Sequence, residues 1–156
     1  MIFASVGTHH DRFPRLLGAL ERLGGGPEPL VVQYGHNSPP AGAHMAKAFM
    51  PFGEMIEHIE AARVVIVHAG VGSVLLASRA GHTPVVVPRL RRLGEHVDDH
   101  QAELGRALEG GTRALVVWDV GRLADAVAAT PGRGRPRAPE TELLGAVREA
   151  LVVTRR

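Results

Sequence analysis

The chain has 156 residues, of which 45% are hydrophobic and 22% are charged, so it is long enough for one globular domain with a buried core. It lacks cysteine, which excludes disulfides, thiol nucleophiles and cysteine-bound zinc. Its 18 basic residues nearly balance its 16 acidic ones, and aromatic residues make up only 4%, so the base stacking typical of nucleic-acid binders is not indicated.

Membrane insertion and secretion are not indicated either. No apolar run approaches the roughly 20 residues that a transmembrane helix needs. The N-terminus lacks the basic stretch and the long apolar segment of a secretory signal. We therefore expect a cytoplasmic protein whose chemistry relies on histidine, carboxylate, hydroxyl or backbone groups.

Apolar runs alternate with helix-forming stretches along most of the chain. Strands are predicted at residues 1–6, 30–34, 47–52, 64–67, 84–88 and 114–117. Helices are predicted at about 12–23, 53–61, 73–80, 97–108 and 120–129. Continuous Val, Ile and Leu runs separated by helices are typical of a parallel sheet that is covered on both faces. The predicted fold is therefore α/β, a doubly wound, Rossmann-like sheet, which binds ligands at the carboxyl ends of its strands.

Composition divides the chain into three parts. Residues 1–130 are expected to form the α/β domain. Residues 131–139 mix Pro, Gly and Arg without apolar periodicity and predict an exposed linker. Residues 140–156 predict a last helix, followed by a basic tail, and the apolar face of this helix is suited to docking on the domain or on a partner.

The densest motif follows the strand at 64–67, where His68, Gly70, Gly72 and Ser73 lead into a helix. Glycines allow a ligand close to the backbone, and a helix start offers free N–H groups and a positive dipole end to a phosphate. A tight turn with a capped helix is the simpler interpretation. His68 is suited to contacting a ligand or, equally, to satisfying backbone groups at the strand end.

Several other polar residues carry two interpretations each. His9, next to His10, is suited to acting as a base or orienting a phosphate, or it belongs to a solvated loop. Arg89 begins an arginine cluster that is suited to neutralising a diphosphate, although such clusters are more often solvated. His96 and His100 have the spacing of two metal ligands on a helix, but no third ligand is evident; helix capping by the aspartates between them is favoured, and no metal is expected.

Five segments, in this order, resemble the C-terminal domain of glycosyltransferase family 28, and most closely its small stand-alone, PssE-like members. The likeness covers residues 1 to about 125. The segments are Val6-Gly7-Thr8-His9, Phe13-Pro14-Arg15-Leu16, Gln33-Tyr34-Gly35, His68-Ala69-Gly70-Val71-Gly72-Ser73 and Glu95-His96-Val97-Asp98-Asp99-His100-Gln101.

This resemblance implies the donor-binding half of a GT-B glycosyltransferase that holds a UDP-sugar and needs no cofactor or bound metal. His100 and Gln101 lie where the larger family contacts the sugar, and the glycine loop meets the diphosphate. The candidate catalytic residue is His9. The candidate donor-binding residues are Gly7, Thr8, His68, Gly70, Gly72, Ser73, Arg89, His96, His100 and Gln101.

The implied function is inverting transfer of a sugar to a lipid-linked saccharide acceptor in exopolysaccharide or glycan synthesis. A membrane-anchored partner subunit would bind the acceptor and hold this chain at the inner face of the plasma membrane. One departure stands out, because relatives carry a ribose-contacting Glu where this chain has Leu76. A non-catalytic nucleotide-sugar-binding or scaffolding subunit is therefore an alternative, and a self-sufficient nucleotide-sugar epimerase is a further one.

Overall fold

Strands and helices alternate in the predicted order. The computed structural model describes residues 1–135, together with the helical positions Gly145 and Arg148. Within these residues, the strands are β1 (Ile2–Ser5), β2 (Leu30–Gln33), β3 (Met45–Lys47), β4 (Val64–His68), β5 (Val85–Val87) and β6 (Leu115–Val116). The α-helices are α1 (Pro14–Leu23), α2 (Phe52–Ala61), α3 (Val71–Arg79), α4 (His100–Leu108) and α5 (Leu123–Ala129).

The six strands form one parallel sheet in the order β3-β2-β1-β4-β5-β6. The central strand is β1, in which Ile2 aligns with Leu30 of β2 on one side and with Val64 of β4 on the other. The chain runs outward from β1 through β2 to β3 and then returns to β4, on the opposite side of β1. This reversal opens a crevice at the carboxyl ends of β1 and β4. The predicted doubly wound α/β fold is confirmed.

Two apolar layers enclose the sheet. Because successive side chains of a strand point to opposite faces, Ala4 and Ile66 pack with α1 and α5 on one face. Phe3 and Val65 pack with α2, α3 and α4 on the other face. All four of these strand residues are fully buried. Burial on both faces explains why the central strands are continuous apolar runs.

Most predicted boundaries differ from the structure by one or two residues, and three differ by more. The third strand was predicted at 47–52 but is Met45–Lys47, because the chain leaves the sheet and Pro51 precedes the first residue of α2. The helix predicted from about 97 begins only at His100, and a short 3₁₀ turn at Arg91–Leu93 precedes it. The helix predicted from about 120 starts with another 3₁₀ turn, Val120–Arg122, before α5.

The segment after α5 is exposed but is tied to the domain. The Gly134 N–H donates to the Gly81 carbonyl at 3.0 Å, and the Arg133 guanidinium donates to the carbonyls of Ala80 and Glu60. The rest of the expected linker and nearly all of the expected helix and tail at 140–156 lie outside the described residues. None of the described helices is long and apolar enough to cross a bilayer.

Candidate functional site

Two glycine loops meet a single histidine ring in the crevice between β1 and β4. His68 is the last residue of β4, and its imidazole lies between the loop after β1 and the loop after β4. A Cβ atom at Gly7 would lie 2.5 Å from Cε1 of His68, and one at Gly70 would approach Nε2 more closely still. Gly7 also has a φ of +81°, which residues with a side chain rarely adopt. Both positions therefore require glycine for the ring to fit.

The His68 ring is neutral and incompletely satisfied. Its pKa is lowered to about 4, mainly by burial and also by the nearby Arg89 cation, while a hydrogen bond with the Ser5 backbone opposes the shift. Nδ1 is shielded from solvent, and no hydrogen bond of ordinary geometry reaches it from the described residues. A neutral imidazole with a free nitrogen is suited to a hydrogen bond with a ligand rather than to ion pairing with a phosphate.

The start of α3 forms the floor of the same crevice. Gly70 is its N-cap residue, no side chain caps the helix, and no acidic residue lies in the first turn. The first N–H groups of an α-helix have no intrahelical partner, and the helix dipole makes this end positive. Gly72 is exposed, and nothing lies within 4 Å of a Cβ atom built there. The start of α3 is thus open to an anion, as the glycine motif predicts.

Three histidine rings lie close together beside the crevice, on the loops after β1 and β5. The ring of His9 lies 4.5 Å from that of His10 and 4.4 Å from that of His96. Desolvation and the neighbouring His96 lower the pKa of His9, although Asp11, 3.5 Å away, opposes this. His9 is therefore mostly neutral at neutral pH and 27% exposed, as a proton acceptor must be. Thr8, on the same loop, is exposed.

His96 and His100 both contact the same aspartate, Asp98. Asp98 lies 2.9 Å from Nδ1 of His96 and 3.1 Å from Nδ1 of His100, and it accepts a hydrogen bond from the His100 N–H. The N-cap residue of α4 is Asp99, whose side chain makes no capping hydrogen bond, so the aspartate that contacts the helix start is Asp98, through the His100 N–H. Among the described residues, the group whose ligand atoms lie close enough for a metal is instead His9, His10 and Asp11.

Arg89 and Gln101 lie beneath the crevice rather than in it. Arg89 is fully buried, and its guanidinium donates to the carbonyls of Val6, Asp11 and Glu95 at 2.8 to 3.0 Å. Its backbone N–H donates to Oε1 of Gln101, which is also buried. The predicted contact of Arg89 with a diphosphate does not fit this geometry, because its guanidinium is enclosed by the protein and fastens the loops together.

One buried ion pair was not anticipated from the sequence. Arg15 of α1 makes a two-pronged contact with Glu95, both hydrogen bonds being 2.9 Å long. Glu95 also accepts from the Leu90 N–H, and Arg15 donates to the Pro88 carbonyl at 2.7 Å. The pair joins two of the family segments, 80 residues apart, and holds the loop after β5 against α1. The one indication of this pair in the sequence was that both residues lie in segments that resemble the family.

Two grooves flank the sheet. One, of about 390 Å³, begins at the start of α3 and continues along α2. The other, of about 460 Å³, lies between β6 and α5 at the far sheet edge and includes Trp118 but none of the predicted residues. We place the candidate site by the strand ends and glycine loops, not by groove size. There the fold brings together Gly7, Gly70, Gly72, Ser73, His68, His9 and His96, whereas His100 is half exposed at the start of α4.

Comparison with known proteins is consistent with the sequence resemblance. Residues 23–128 match the glycosyltransferase family 28 C-terminal domain. Curated proteins gave no match. A similar solved structure is described as "Structural basis for EarP-mediated arginine glycosylation of translation elongation factor EF-P", with a TM-score of 0.43 and 17% identity. That similarity covers 99% of this chain and 56% of the other, so this chain spans little more than half of its length.

Proposed function

This chain belongs to the glycosyltransferase family 28 C-terminal domain family, and on that premise we propose that it binds the nucleoside diphosphate sugar of a glycosyl transfer reaction. The observation that carries the proposal is the crevice between β1 and β4. It combines an uncapped helix start, two required glycines and a neutral histidine with a free nitrogen. These groups are suited to a diphosphate, whose charge grows as the sugar leaves it.

In the proposed arrangement, the diphosphate lies at the N–H groups of Gly70 to Ser73. The fixed backbone dipoles stabilise the departing diphosphate without a metal. His68 donates or accepts one hydrogen bond at the crevice, and the neighbouring rings of His9 and His96 border the sugar. Gly7, Thr8 and His100 remain proposed donor contacts, whereas Gln101 is proposed to position the loop after β5 by accepting the hydrogen bond of the Arg89 N–H.

The reaction proposed is inverting transfer from a UDP-sugar to a lipid-linked saccharide. His9 is the proposed base: it takes the proton from the acceptor hydroxyl while the new glycosidic bond forms and the bond to the diphosphate breaks. Its lowered pKa and partial exposure support this assignment. Alternatively, a membrane-anchored partner that binds the acceptor supplies the base. This partner, an inner-membrane location and a role in exopolysaccharide synthesis rest on the family resemblance.

The anion site can be tested with a charge placed at its open position. Gly72→Asp adds a carboxylate where no atom is displaced, and Gly72→Asn adds the same shape without the charge. Two charges about 5 Å apart near a surface interact by about 3 kcal/mol. We therefore expect Gly72→Asp to weaken UDP and pyrophosphate binding at least tenfold in calorimetry, and Gly72→Asn to have a much smaller effect. Equal binding by both variants would contradict the proposal.

A second candidate function is a non-catalytic subunit that binds or scaffolds the nucleotide sugar. The observation that favours it is Leu76, an apolar residue on the groove beside the anion site. Turnover by the complex that contains this chain separates the two functions. Gly72→Asp abolishes turnover if this chain supplies the donor site, and leaves turnover unchanged if it does not.

A further inference from the structure

The groove of about 390 Å³ between α2 and α3 is continuous with the proposed diphosphate position. Gly72 and Ser73, in the first turn of α3, line both. From there the groove continues between Leu76 of α3 and Phe52 at the start of α2. A group attached to a diphosphate at the helix start therefore has this groove as an adjoining space.

The lining of this groove is mainly apolar. Leu76, Leu75, Met55 and Phe52 contribute hydrocarbon or aromatic surface, and Phe52 is 64% exposed. The polar side chains among its lining residues are Ser73 and Arg79. An arginine only donates hydrogen bonds, so the single side-chain oxygen available to accept one from a ligand is the Ser73 hydroxyl.

Glu54, the acidic residue in the first turn of α2, is engaged with a cation outside the groove lining. Glu54 lies 2.5 Å from Nζ of Lys47 and 3.7 Å from Nε2 of His58. The Lys47 contact lowers the pKa of Glu54, so its carboxylate is charged and engaged with a cation. No carboxylate lies among the described residues that line the groove.

We propose that this groove holds the nucleoside of the donor and favours a 2′-deoxyribonucleoside, above all thymidine, over uridine. The inference rests on the proposed function and replaces its uridine with a deoxynucleoside. Each ribose hydroxyl that enters the groove gives up water and needs an acceptor, and among the described lining residues the Ser73 hydroxyl is the one side-chain oxygen that can supply it. Deoxyribose removes one hydroxyl, and the thymine methyl group adds apolar surface that Leu76, Met55 and Phe52 can cover.

The test uses three diphosphates that differ by single groups. UDP and dUDP differ only in the 2′-hydroxyl, and dTDP adds only the ring methyl group. Calorimetric titration of the full chain is expected to show dUDP binding about threefold to tenfold more tightly than UDP, and dTDP at least as tightly as dUDP. This range corresponds to the net free energy of one unmade hydrogen bond.

A variant supplies the missing acceptor. Leu76→Glu places a carboxylate in the groove and is expected to reverse the order, so that UDP binds more tightly than dUDP. Leu115→Glu is the matched control, because Leu115 is a partly exposed leucine on β6, at the far sheet edge. This control is expected to keep the wild-type order. Thermal melting checks that both variants fold. If Leu76→Glu does not fold, the affinities of the wild-type chain for UDP and dUDP still test the inference.

The outcomes separate this inference from the proposed function. UDP binding as tightly as dUDP, or more tightly, overturns the inference and leaves the nucleotide-sugar site in place. A Leu76→Glu variant that folds but keeps the wild-type order also overturns it. Failure of all three diphosphates to bind overturns the proposed function and the inference with it. A preference for dUDP and dTDP that Leu76→Glu reverses supports both.

Discussion

Replacing Gly70 by alanine should destabilise the protein because the His68 ring already fills the space that the new methyl group needs. A Cβ atom at Gly70 would come closer to Nε2 of His68 than the 3.0 Å that real Cβ atoms keep. The Gly7 backbone also lies close to this ring, since a Cβ atom built on Gly7 would lie only 2.5 Å from Cε1 of His68. Overpacking of this kind typically costs about 1–3 kcal/mol, and we expect about 2 kcal/mol.

Chemical denaturation and thermal melting measure this loss directly. For a chain of this size, 2 kcal/mol corresponds to a fall in Tm of about 4–8 °C. Gly72→Ala is the matched control, because a Cβ atom there meets nothing within 4 Å and lies in the same helix turn. We expect the control to be neutral or to stabilise by a few tenths of a kcal/mol, since alanine favours helix over glycine.

A double-mutant cycle tests whether the His68 ring is the cause. If it is, His68→Ala in the Gly70→Ala background should recover about 1 kcal/mol or more relative to the sum of the single changes. Strict additivity of the two single changes would show that the ring does not transmit the strain. A Gly70→Ala variant as stable as Gly72→Ala would refute the reasoning altogether.

Three further predictions concern the groups that hold the crevice. The free energy of unfolding should fall as pH drops from about 6.5 to about 4, because His68 binds a proton in the unfolded chain but stays neutral in the folded protein. The loss is at most about 3 kcal/mol. Urea titrations should show a smaller loss in His68→Gln. Glu95→Gln should lower the free energy of unfolding by about 3 kcal/mol in chemical denaturation, because it leaves the Arg15 cation without its carboxylate. Replacing both residues by leucine should cost less than the sum of the two single leucine changes. A double change that costs as much as this sum would show that the two residues are not coupled. Arg89→Lys should destabilise the protein by about 2–3 kcal/mol in melting experiments, nearly as much as Arg89→Leu. The reason is that one ammonium group cannot replace the planar guanidinium, which donates to three carbonyls. Wild-type stability of the lysine variant would contradict this prediction.

The candidate site was predictable in part, because its backbone features leave marks in the sequence. Gly70 and Gly72 follow an apolar strand and open a helix, and this pattern predicts the glycine turn and open helix start that the structure shows, while phosphate binding there stays a prediction. The roles of Arg89 and Gln101 were not predictable, since a buried and a solvated arginine look alike in a run of arginines. The structure shows that Arg89 is fully buried, and no local pattern in the sequence indicates that.

The order of strands and helices is a local property, and the sequence by itself determined it. Runs such as residues 64–67 are apolar on both faces and are bounded by residues that end strands, so the doubly wound sheet follows from them. The predicted bounds of β3 were wrong by a few residues, because the ends of that strand are set by its pairing with β2 and not by local propensity.

Contacts between distant segments were decided only by the tertiary structure. Arg15 meets Glu95 across 80 positions, and His68 fits between Gly7 and Gly70, because the order of strands in the sheet brings those loops together. Such contacts depend on directions in space that no short stretch of sequence encodes. They also decide which side chains support the crevice and which remain free to meet a ligand.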